Sequence, residues 1–220
     1  MTRTTIRPFG ERALLVEVDD PRGLAAALGG APVPGVAASV VGRASVLVEL
    51  EASAAVDAVV SWLEERAASA PPPAAAGRTR AIPVVYGGTH GPDLEAVATT
   101  LGCALSEVID RHRSTEPEVL FVGFAPGFPY LGPLPHSLTV PRLATPRTRT
   151  PAGSVAIADG MGGIYPAELP GGWPVIGATP VTLFDPRRDP PAYLVPGDRV
   201  RWRRIRPEDW ASHAGTADDW

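Results

Sequence analysis

The 220-residue chain contains no lysine, and all twenty of its basic residues are arginine. This absence excludes several chemistries within the chain itself: a Walker A lysine, a Schiff-base lysine, a biotinylated lysine and the lysine base of a Ser–Lys amidase. The single cysteine, Cys103, rules out an internal disulfide framework. Its predicted place on a helix indicates a small buried hydrophobic residue rather than a nucleophile.

Long apolar runs are also missing. No stretch approaches the roughly eighteen residues of a membrane span, and the N-terminus lacks the apolar core of a signal peptide. We therefore expect a soluble, cytoplasmic protein without a membrane partner. The formal net charge of −4 gives no drive toward nucleic acid. No metal site is expected in this chain, because its four histidines show no metal-ligand spacing.

Proline is abundant instead, with 26 residues, most of them beyond residue 71. Because apolar strands are interleaved with these prolines, we predict rigid turns rather than disorder. The segment Ala67–Gly77 holds three consecutive prolines flanked by alanine and glycine. Such a segment forms a semi-rigid spacer, so we predict two domains, residues 1–76 and 77–220.

The first domain is predicted as a small α+β fold of the ferredoxin-like kind, with the element order ββαββα. Proline and serine signals place one helix from Pro21 to Gly30 and a second after a Ser53 cap. The predicted strands cover 3–8, 13–18, 33–41 and 45–50. No catalytic constellation is visible in this part of the sequence.

The second domain is predicted to be mainly β. After a strand over 79–86, Asp93 and Ser106 are the expected caps of two helices. Short apolar runs separated by Gly, Pro and Asp then predict a closed antiparallel barrel or a sandwich. The runs cover 119–124, 154–158, 175–176, 181–184, 192–195 and 198–204. The tail from Pro207 to Trp220 is expected to be frayed apart from Trp210.

The stretch Val122–Gly132 combines a strand end with a proline-rich, aromatic loop. Proline fixes the backbone and glycine permits close approach, so this loop is predicted to be stiff. It forms either a binding site or a simple barrel corner. The candidate binding residues in this loop are Phe124, Pro126, Gly127, Phe128 and Tyr130.

A second stretch carries Arg142, Arg147 and Arg149 in an extended segment held by prolines. Guanidinium groups suit bidentate capture of carboxylate or phosphate, and the alternative is pairing with acidic groups on a subunit surface. The following turn, Gly153-Ser154, offers backbone donors to an anion. Nothing in the sequence supplies a base for a serine nucleophile there.

A third stretch places Tyr165 and Trp173 beside predicted tight turns at Gly162-Gly163 and Gly171-Gly172. The two aromatic residues form either the wall of a ligand or partner groove or part of the core. His112, at a helix end, either packs or lines the site.

Taken together, these segments resemble the family that includes the B-type subunit of 5-oxoprolinase, allophanate hydrolase subunit 1 and the KipI-type inhibitors of sensor kinases. The resemblance also covers the opening strand Gly10–Glu17. The matching pieces are Ile82–Gly88, Gly91–Leu94, Phe124–Leu131, Pro141-Arg142, Pro146-Arg147, Pro151–Ala158, Gly163–Pro166 and Pro170–Trp173. The resemblance implies a cyclophilin-like β-barrel that follows the small α+β domain. It also implies that this barrel acts beside a second, related barrel subunit.

The resemblance implies one component of an ATP-dependent 5-oxoprolinase that hydrolyses 5-oxo-L-proline to L-glutamate, a component that is inactive alone. ATP with its Mg²⁺ is the expected cofactor of the complex. The expected partner is a related barrel protein, either the C-type subunit of 5-oxoprolinase or allophanate hydrolase subunit 2, and the A-type subunit of 5-oxoprolinase is a further candidate. The alternatives are a component of a urea carboxylase or other allophanate-type, biotin-dependent carboxyltransferase, and a KipI-like kinase inhibitor.

On this interpretation Arg142, Arg147, Ser154 and His112 are the catalytic candidates. The substrate- or nucleotide-binding candidates are Phe124, Pro126, Gly127, Phe128, Tyr130, Arg149, Gly153, Tyr165, Gly171, Gly172 and Trp173. The chain departs from the family pattern on one predicted site loop. It has Met161-Gly162 where the family usually has Gln-Thr, and Asp159 where the family usually has glycine.

Overall fold

The computed structural model describes residues 4–30, 33–68 and 77–215. The chain divides into two compact units, Met1–Ala76 and Gly77–Trp220. Most of the predicted spacer, residues 69–76, lies outside the described residues, while Ala67 and Ala68 form the end of a helix. Within the described ranges, every helix is too short or too polar to span a bilayer.

The first unit has the predicted element order ββαββα. Its sheet is antiparallel, in the order β1-β2-β4-β3. Alternation along the strands buries one face of the sheet against the helices, as Val46 and Val48 of β4 show. The elements are β1 (Thr5–Pro8), β2 (Ala13–Glu17), α1 (Pro21–Gly30), β3 (Val36–Val41), β4 (Ser45–Leu50) and α2 (Val56–Ala68).

The ferredoxin-like description of this unit is not confirmed. Ferredoxin-like folds run β-α-β-β-α-β, whereas this unit begins with a strand pair. Strands β2 and β3 are connected by α1 and run parallel, with β4 antiparallel between them. The Ser53 cap is wrong, because α2 begins three residues later, at Val56.

The second unit contains a closed barrel of seven strands, in the order β10-β7-β6-β13-β5-β12-β9. Its strand pairs are antiparallel except for β5 with β13. Strands β8 and β11 form a separate two-stranded sheet. The elements are β5 (Thr79–Tyr86), α3 (Leu94–Leu101), α4 (Leu105–Arg113), β6 (Glu118–Val122), β7 (Pro129–Gly132), β8 (Arg147–Thr150), β9 (Ser154–Ala158), β10 (Met161–Ile164), β11 (Leu169–Gly171), β12 (Val175–Ala178) and β13 (Arg199–Arg204).

Of the two options that the sequence predicted, the closed barrel is confirmed, although it is not antiparallel throughout because β5 and β13 run parallel. Its cyclophilin-like name stays a prediction. Alternation decides which side chains fill it. Val155 and Ile157 of β9 belong to the barrel core, while Ala156 and Ala158 face outward. Helices α3 and α4 pack apolar residues into the same core.

Several local predictions were wrong. The segments 181–184 and 192–195 were expected to be strands, but they meet only in an isolated β-bridge between Phe184 and Ala192. Helix α4 begins at Leu105, so Ser106 lies inside it and does not cap it. The tail is ordered through residue 215: it makes two 3₁₀ turns, and Gly215 pairs with Val181. Residues 216–220 lie outside the described residues.

Candidate functional site

The aromatic residues that the sequence singled out meet on the outer side of the barrel, over strands β7, β9, β10 and β12. Small residues on these strands leave the room for them. A Cβ atom on Gly163 would lie 2.7 Å from Cζ of Phe128 and 3.2 Å from Cζ3 of Trp173. Ala156 and Ala158 belong to the same outward cluster. Glycine and alanine on the strands are therefore what allows large rings to pack closely against the barrel.

Phe128 is the centre of this group, which we call the aromatic face: Phe124, Phe128, Tyr130, Tyr165 and Trp173. Its ring makes edge-to-face contacts with the other four, at centroid distances of 5.3, 5.0, 5.2 and 6.1 Å in that order. Such pairs stabilise by about 0.5–1.5 kcal/mol each beyond their burial. Burial also raises the pKa of the Tyr130 and Tyr165 phenols, so both stay protonated donors. Phe128, Tyr165 and Trp173 are themselves buried, at 2%, 2% and 7% exposure. Of the two roles that the sequence left open for Tyr165 and Trp173, the structure therefore supports core packing, and the packed rings form a platform that supports Phe124.

Phe124 stands out from this platform. Its side chain is 59% exposed, and its backbone has φ +68°, in the left-handed region that side chains other than glycine rarely adopt. The loop that holds it, with Pro126 inside, is closed by hydrogen bonds from Gly123 N–H to Phe128 O (3.1 Å) and from Phe128 N–H to Ala125 O (3.0 Å). A strained, exposed aromatic residue on a well-bonded loop is a functional candidate.

The loop is anchored underneath by Gly127. This residue has φ +78°, and a Cβ atom there would lie 2.6 Å from Cβ of Phe184. The close approach needs glycine, because any side chain would push the loop off the barrel. The sequence prediction of a stiff loop at this strand end therefore agrees with the geometry.

Two of the three predicted anion-binding arginines lie in exposed ion pairs. Nε of Arg142 is 3.0 Å from Oδ2 of Asp159, and its guanidinium is 5.9 Å from the ring of Trp173. Nε of Arg149 is 3.1 Å from Oε1 of Glu168. Exposed pairs contribute only about 0–1 kcal/mol. An incoming anion could therefore displace either carboxylate at small cost.

Arg147 is different, because its pair is built into the fold. Its Nη2 donates to Oδ1 of Asp93, whose other oxygen accepts a hydrogen bond from Val175 N–H at 2.7 Å. Asp93 occupies the N-cap position of α3, as predicted, but it is buried and its side chain makes no cap hydrogen bond to the helix. This pair connects β8, α3 and β12, so Arg147 has a clear structural function.

The departure at Asp159 has a backbone explanation. Asp159 and Gly160 have φ +51° and +74° and form the two-residue turn between β9 and β10. Such hairpin turns require positive φ at both positions and favour Asp-Gly. Met161 and Gly162 are the first residues of β10, so the tight turn predicted at Gly162-Gly163 is wrong and lies a few residues earlier.

The anion cradle predicted at Gly153-Ser154 is not formed. The N–H of Gly153 donates to Tyr165 O at 2.7 Å, and that of Ser154 donates to Pro151 O at 3.3 Å. Ser154 is also buried, at 3% exposure. Both backbone donors are already used inside the barrel, and the hydroxyl has no route to a ligand in this conformation.

His112 lies in the barrel core and not on the aromatic face. It is fully buried, its Nδ1 is 2.8 Å from the Tyr86 hydroxyl, and its ring lies 4.4 Å from that of Trp202. Burial lowers the pKa of the His112 imidazole to about 3, so the ring is neutral at physiological pH. Of the two roles left open by the sequence, the structure supports packing.

Gly171 and Gly172 position the arginine segment beside the aromatic face. A Cβ atom on Gly171 would clash with the hydroxyl of Tyr165, at a distance of 2.1 Å, so only glycine fits there. The carbonyl of Gly172 accepts a 2.7 Å hydrogen bond from Leu143 N–H. Gly171 belongs to β11, which pairs with β8, the strand of Arg147 and Arg149.

Sequence reasoning missed Asp93 and Glu168 as arginine partners. Asp93 is 54 residues from Arg147, and no local pattern indicates that barrel closure brings them together. Among the described residues, no group of three or more His, Cys, Asp or Glu side chains could hold a metal ion. The assembled surface is therefore an aromatic platform edged by arginines, without a nucleophile–base pair on it.

The barrel and the small α/β unit are those of a known domain class. Residues 4–194 match the carboxyltransferase domain, subdomain C and D. The chain is 42% identical to the B-type subunit of 5-oxoprolinase from Escherichia coli O157:H7 over 214 residues, which cover 92% of this chain and 96% of that protein. The chain therefore belongs to the carboxyltransferase-domain family that includes this 5-oxoprolinase component, as the sequence predicted.

Solved structures agree with this assignment. The crystal structure of TTHA0988 superposes with a TM-score of 0.75 at 34% identity, covering 94% of this chain and 40% of that longer chain. The Kluyveromyces lactis urea carboxylase superposes with a TM-score of 0.78 over 95% of this chain and 22% of that protein. Its 21% identity shows a shared fold alone.

Proposed function

We propose that this chain is one component of an ATP-dependent 5-oxoprolinase that opens 5-oxo-L-proline to L-glutamate. The 42% identity to a B-type subunit of 5-oxoprolinase, over nearly all of both chains, supports this proposal. In it, the aromatic face is this chain's contribution to a composite active site, completed by a related barrel protein of the C type. A third component, of the A type, belongs to the same complex.

The observation that best supports a composite active site is the exposure of Phe124 on the aromatic face when the chain is considered alone. Phe124 is held in a strained backbone conformation with its ring in solvent, on a platform of four packed rings. Exposed aromatic residues at the centre of a rigid patch are typical anchors of protein interfaces. Arg142 lies beside the face, and no base accompanies it there, so in this proposal a partner completes the chemistry.

The reaction needs charge stabilisation more than a protein nucleophile. Transfer of the γ-phosphoryl group of ATP to the lactam oxygen activates the ring carbon toward water. The ring C–N bond then breaks, the nitrogen takes up a proton, and the carbonyl carbon keeps the phosphate as an acyl phosphate. A second water hydrolyses this acyl phosphate and releases phosphate and glutamate. Overall, 5-oxoproline, one ATP and two waters give glutamate, ADP and phosphate. Arg142 and Arg149 are suited to neutralise the phosphoryl charge once it displaces their carboxylate partners.

Covering the face strengthens these contacts. Water exclusion at a subunit joint lowers the local dielectric, so an arginine–phosphate contact gains strength there. Mg²⁺ would arrive with the nucleotide. The fold likeness to urea carboxylase at 21% identity does not extend to chemistry, and no contact among the described residues favours the carboxyltransferase or the kinase-inhibitor alternative.

An omission assay tests the proposal. The chain is mixed with purified C-type and A-type subunits of 5-oxoprolinase, and ADP and glutamate are measured with 5-oxoproline and Mg²⁺-ATP. We expect 5-oxoproline-dependent formation of both products in equal amounts, lost when this chain is left out. Equal rates with and without this chain would contradict the proposal, as would ATP- and urea-dependent carboxylation by a biotinylated partner instead.

A further inference from the structure

A second group of arginines lines a pocket that is not part of the aromatic face. The pocket has a volume of about 500 Å³ and is lined by Arg78, Arg80, Arg188, Asp189, Tyr193 and Asp198, among others. We propose that this pocket is a binding site for a small molecule that carries a phosphate group. The inference does not depend on the proposed function, because it uses none of the same residues.

The arginines reach the pocket from two ordered backbone segments. Arg78 directly precedes β5 and Arg80 is the second residue of that strand. Because the two are two residues apart along extended backbone, their side chains leave it on the same side. Arg188 comes from the loop that connects Phe184 to Ala192, which pair as a β-bridge. A hydrogen bond of 2.9 Å from Asp185 N–H to the carbonyl of residue 191 closes this loop. The guanidinium groups therefore start from fixed positions.

Two of the acidic groups near the pocket, Asp198 and Asp185, accept hydrogen bonds from groups other than the Arg78 and Arg188 side chains, and Asp189 also lines the pocket. Asp198 is buried, and its carboxylate accepts hydrogen bonds from the backbone N–H groups of Arg78 (2.9 Å) and Val195 (3.2 Å). Its charge is thus held by the backbone at the base of the pocket. Nε of Arg188 lies 3.9 Å from Oδ2 of Asp185, too far for a hydrogen bond. That carboxylate is bonded instead by the Arg187 side chain, at 2.9 Å from both Nε and Nη2.

Arg80 is oriented by an aromatic ring. Its guanidinium lies over Tyr193, 4.8 Å from the ring centroid, and Tyr193 is buried. Stacking fixes the plane of the guanidinium, which lowers the entropy cost of binding an anion in that plane. Arg78 and Arg188 bring two planar cations to the cavity beside the stacked Arg80, and such groups suit the several acceptor oxygens of a phosphate.

The pocket is larger than a phosphate ion needs. Sites for small molecules commonly have volumes of about 300–1,000 Å³, so the ligand can be a phosphorylated metabolite or a nucleotide as well as free phosphate. These sources share the phosphate group and differ in whether the rest of the molecule contributes to affinity. An experiment can separate them by comparing inorganic phosphate with a non-hydrolysable ATP analogue.

Calorimetric titration of the full chain, at constant ionic strength in chloride, tests the site. Inorganic phosphate and adenylyl imidodiphosphate are the probes, and Arg78→Gln, Arg80→Gln and Arg188→Gln are the variants. We expect saturable binding, weakened about 10-fold or more by each variant, or about 1.4 kcal/mol. Equal affinity for the two probes would assign the site to phosphate alone, and tighter binding of the analogue would assign it to a nucleotide.

Arg201→Gln is the matched control, because Arg201 is an exposed arginine of β13 that pairs with Glu116 and does not line the pocket. This control should bind both probes like the unmodified chain. Since loss of Arg80 also removes a stacking contact, unfolding midpoints are measured for every variant. The proposal is overturned if neither probe saturates, if folded Arg78 and Arg188 variants bind normally, or if Arg201→Gln weakens binding equally.

Discussion

Replacing Phe124 with asparagine separates the stability of the chain from its proposed assembly. Two-fifths of the Phe124 side chain is covered, and full burial of phenylalanine stabilises by about 1.5–3 kcal/mol. The lost burial is therefore worth about 1 kcal/mol. Against this, a left-handed backbone costs a residue such as phenylalanine about 1–2 kcal/mol, and asparagine tolerates it better. The two terms nearly cancel, so stability should change by less than about 1 kcal/mol.

Assembly should respond very differently. An aromatic anchor at an interface centre typically contributes about 2 kcal/mol or more, or roughly 30-fold in affinity. We expect Phe124→Asn to weaken binding to the related barrel protein by that factor and to lower kcat/KM of the reconstituted complex at limiting partner concentration. Urea unfolding of the isolated chain and titration calorimetry with the partner measure the two effects.

Phe9→Asn is the matched control, because Phe9 is 54% exposed but lies in the N-terminal unit. It should leave partner affinity unchanged. The reasoning is refuted if Phe124→Asn binds the partner as tightly as the unmodified chain, if it unfolds with a loss above about 2 kcal/mol, or if Phe9→Asn weakens assembly as much.

Three more predictions concern the buried histidine, the glycines and the arginines. The pKa of His112 is about 3 in the folded chain and 6.5 in the unfolded chain, so the free energy of unfolding should fall as the pH drops from 6.5 toward 3. His112→Gln should flatten this pH dependence, measured by urea unfolding. The same variant should leave kcat of the complex unchanged at pH 7. Gly153→Ala should lower the free energy of unfolding by about 3 kcal/mol or more, because the new Cβ atom would lie 2.2 Å from the carbonyl oxygen of Thr179. Gly102→Ala is the control: this glycine has φ +63° but open space around it, so the change should cost about 1 kcal/mol. Thermal unfolding measures both variants. Arg142→Gln should lower the activity of the complex while the free energy of unfolding changes by less than about 1 kcal/mol. Arg147→Gln should lower the free energy of unfolding by about 2 kcal/mol, with activity falling in proportion. Equal losses of stability in the two variants would contradict this distinction.

The sequence predicts the barrel because its core strands follow simple rules. Strands β9 and β13 carry apolar residues at alternating inward positions, and turns of Gly, Pro and Asp separate the runs. The order ββαββα was predictable for the same reason, since turn and helix-start residues bound each element. These are local signals, and the closed barrel satisfies most of them, the runs at 181–184 and 192–195 excepted.

Strands β7 and β10 were missed because tertiary packing overrides their local propensity. Glycine and proline are poor strand formers in isolation, yet Gly163 is needed where Phe128 presses on β10. The Asp159-Gly160 pair is a recognised hairpin signal and does mark the β9–β10 turn. The sequence interpretation placed the turn at the next glycine pair instead.

The residue types of the candidate site could be read from the sequence, but their pairings could not. The structure places the Arg142 guanidinium 5.9 Å from the ring of Trp173, and a role of the two segments in a site stays a prediction. Which arginine is structural depends on carboxylates far away in the chain, such as Asp93 for Arg147, and only barrel closure brings them into contact. The packing role of His112 likewise depends on burial by Tyr86 and Trp202, which sequence spacing does not reveal.

Hydrogen exchange of the chain alone and in the reconstituted 5-oxoprolinase tests the central claim most directly, because it shows whether a partner covers the aromatic face. The account predicts slower exchange on assembly in peptides covering 121–131 and 161–173, which hold the aromatic face, and no change in the β1–β2 strands as an internal reference. Unchanged exchange in both peptides within a complex that hydrolyses 5-oxoproline would contradict it.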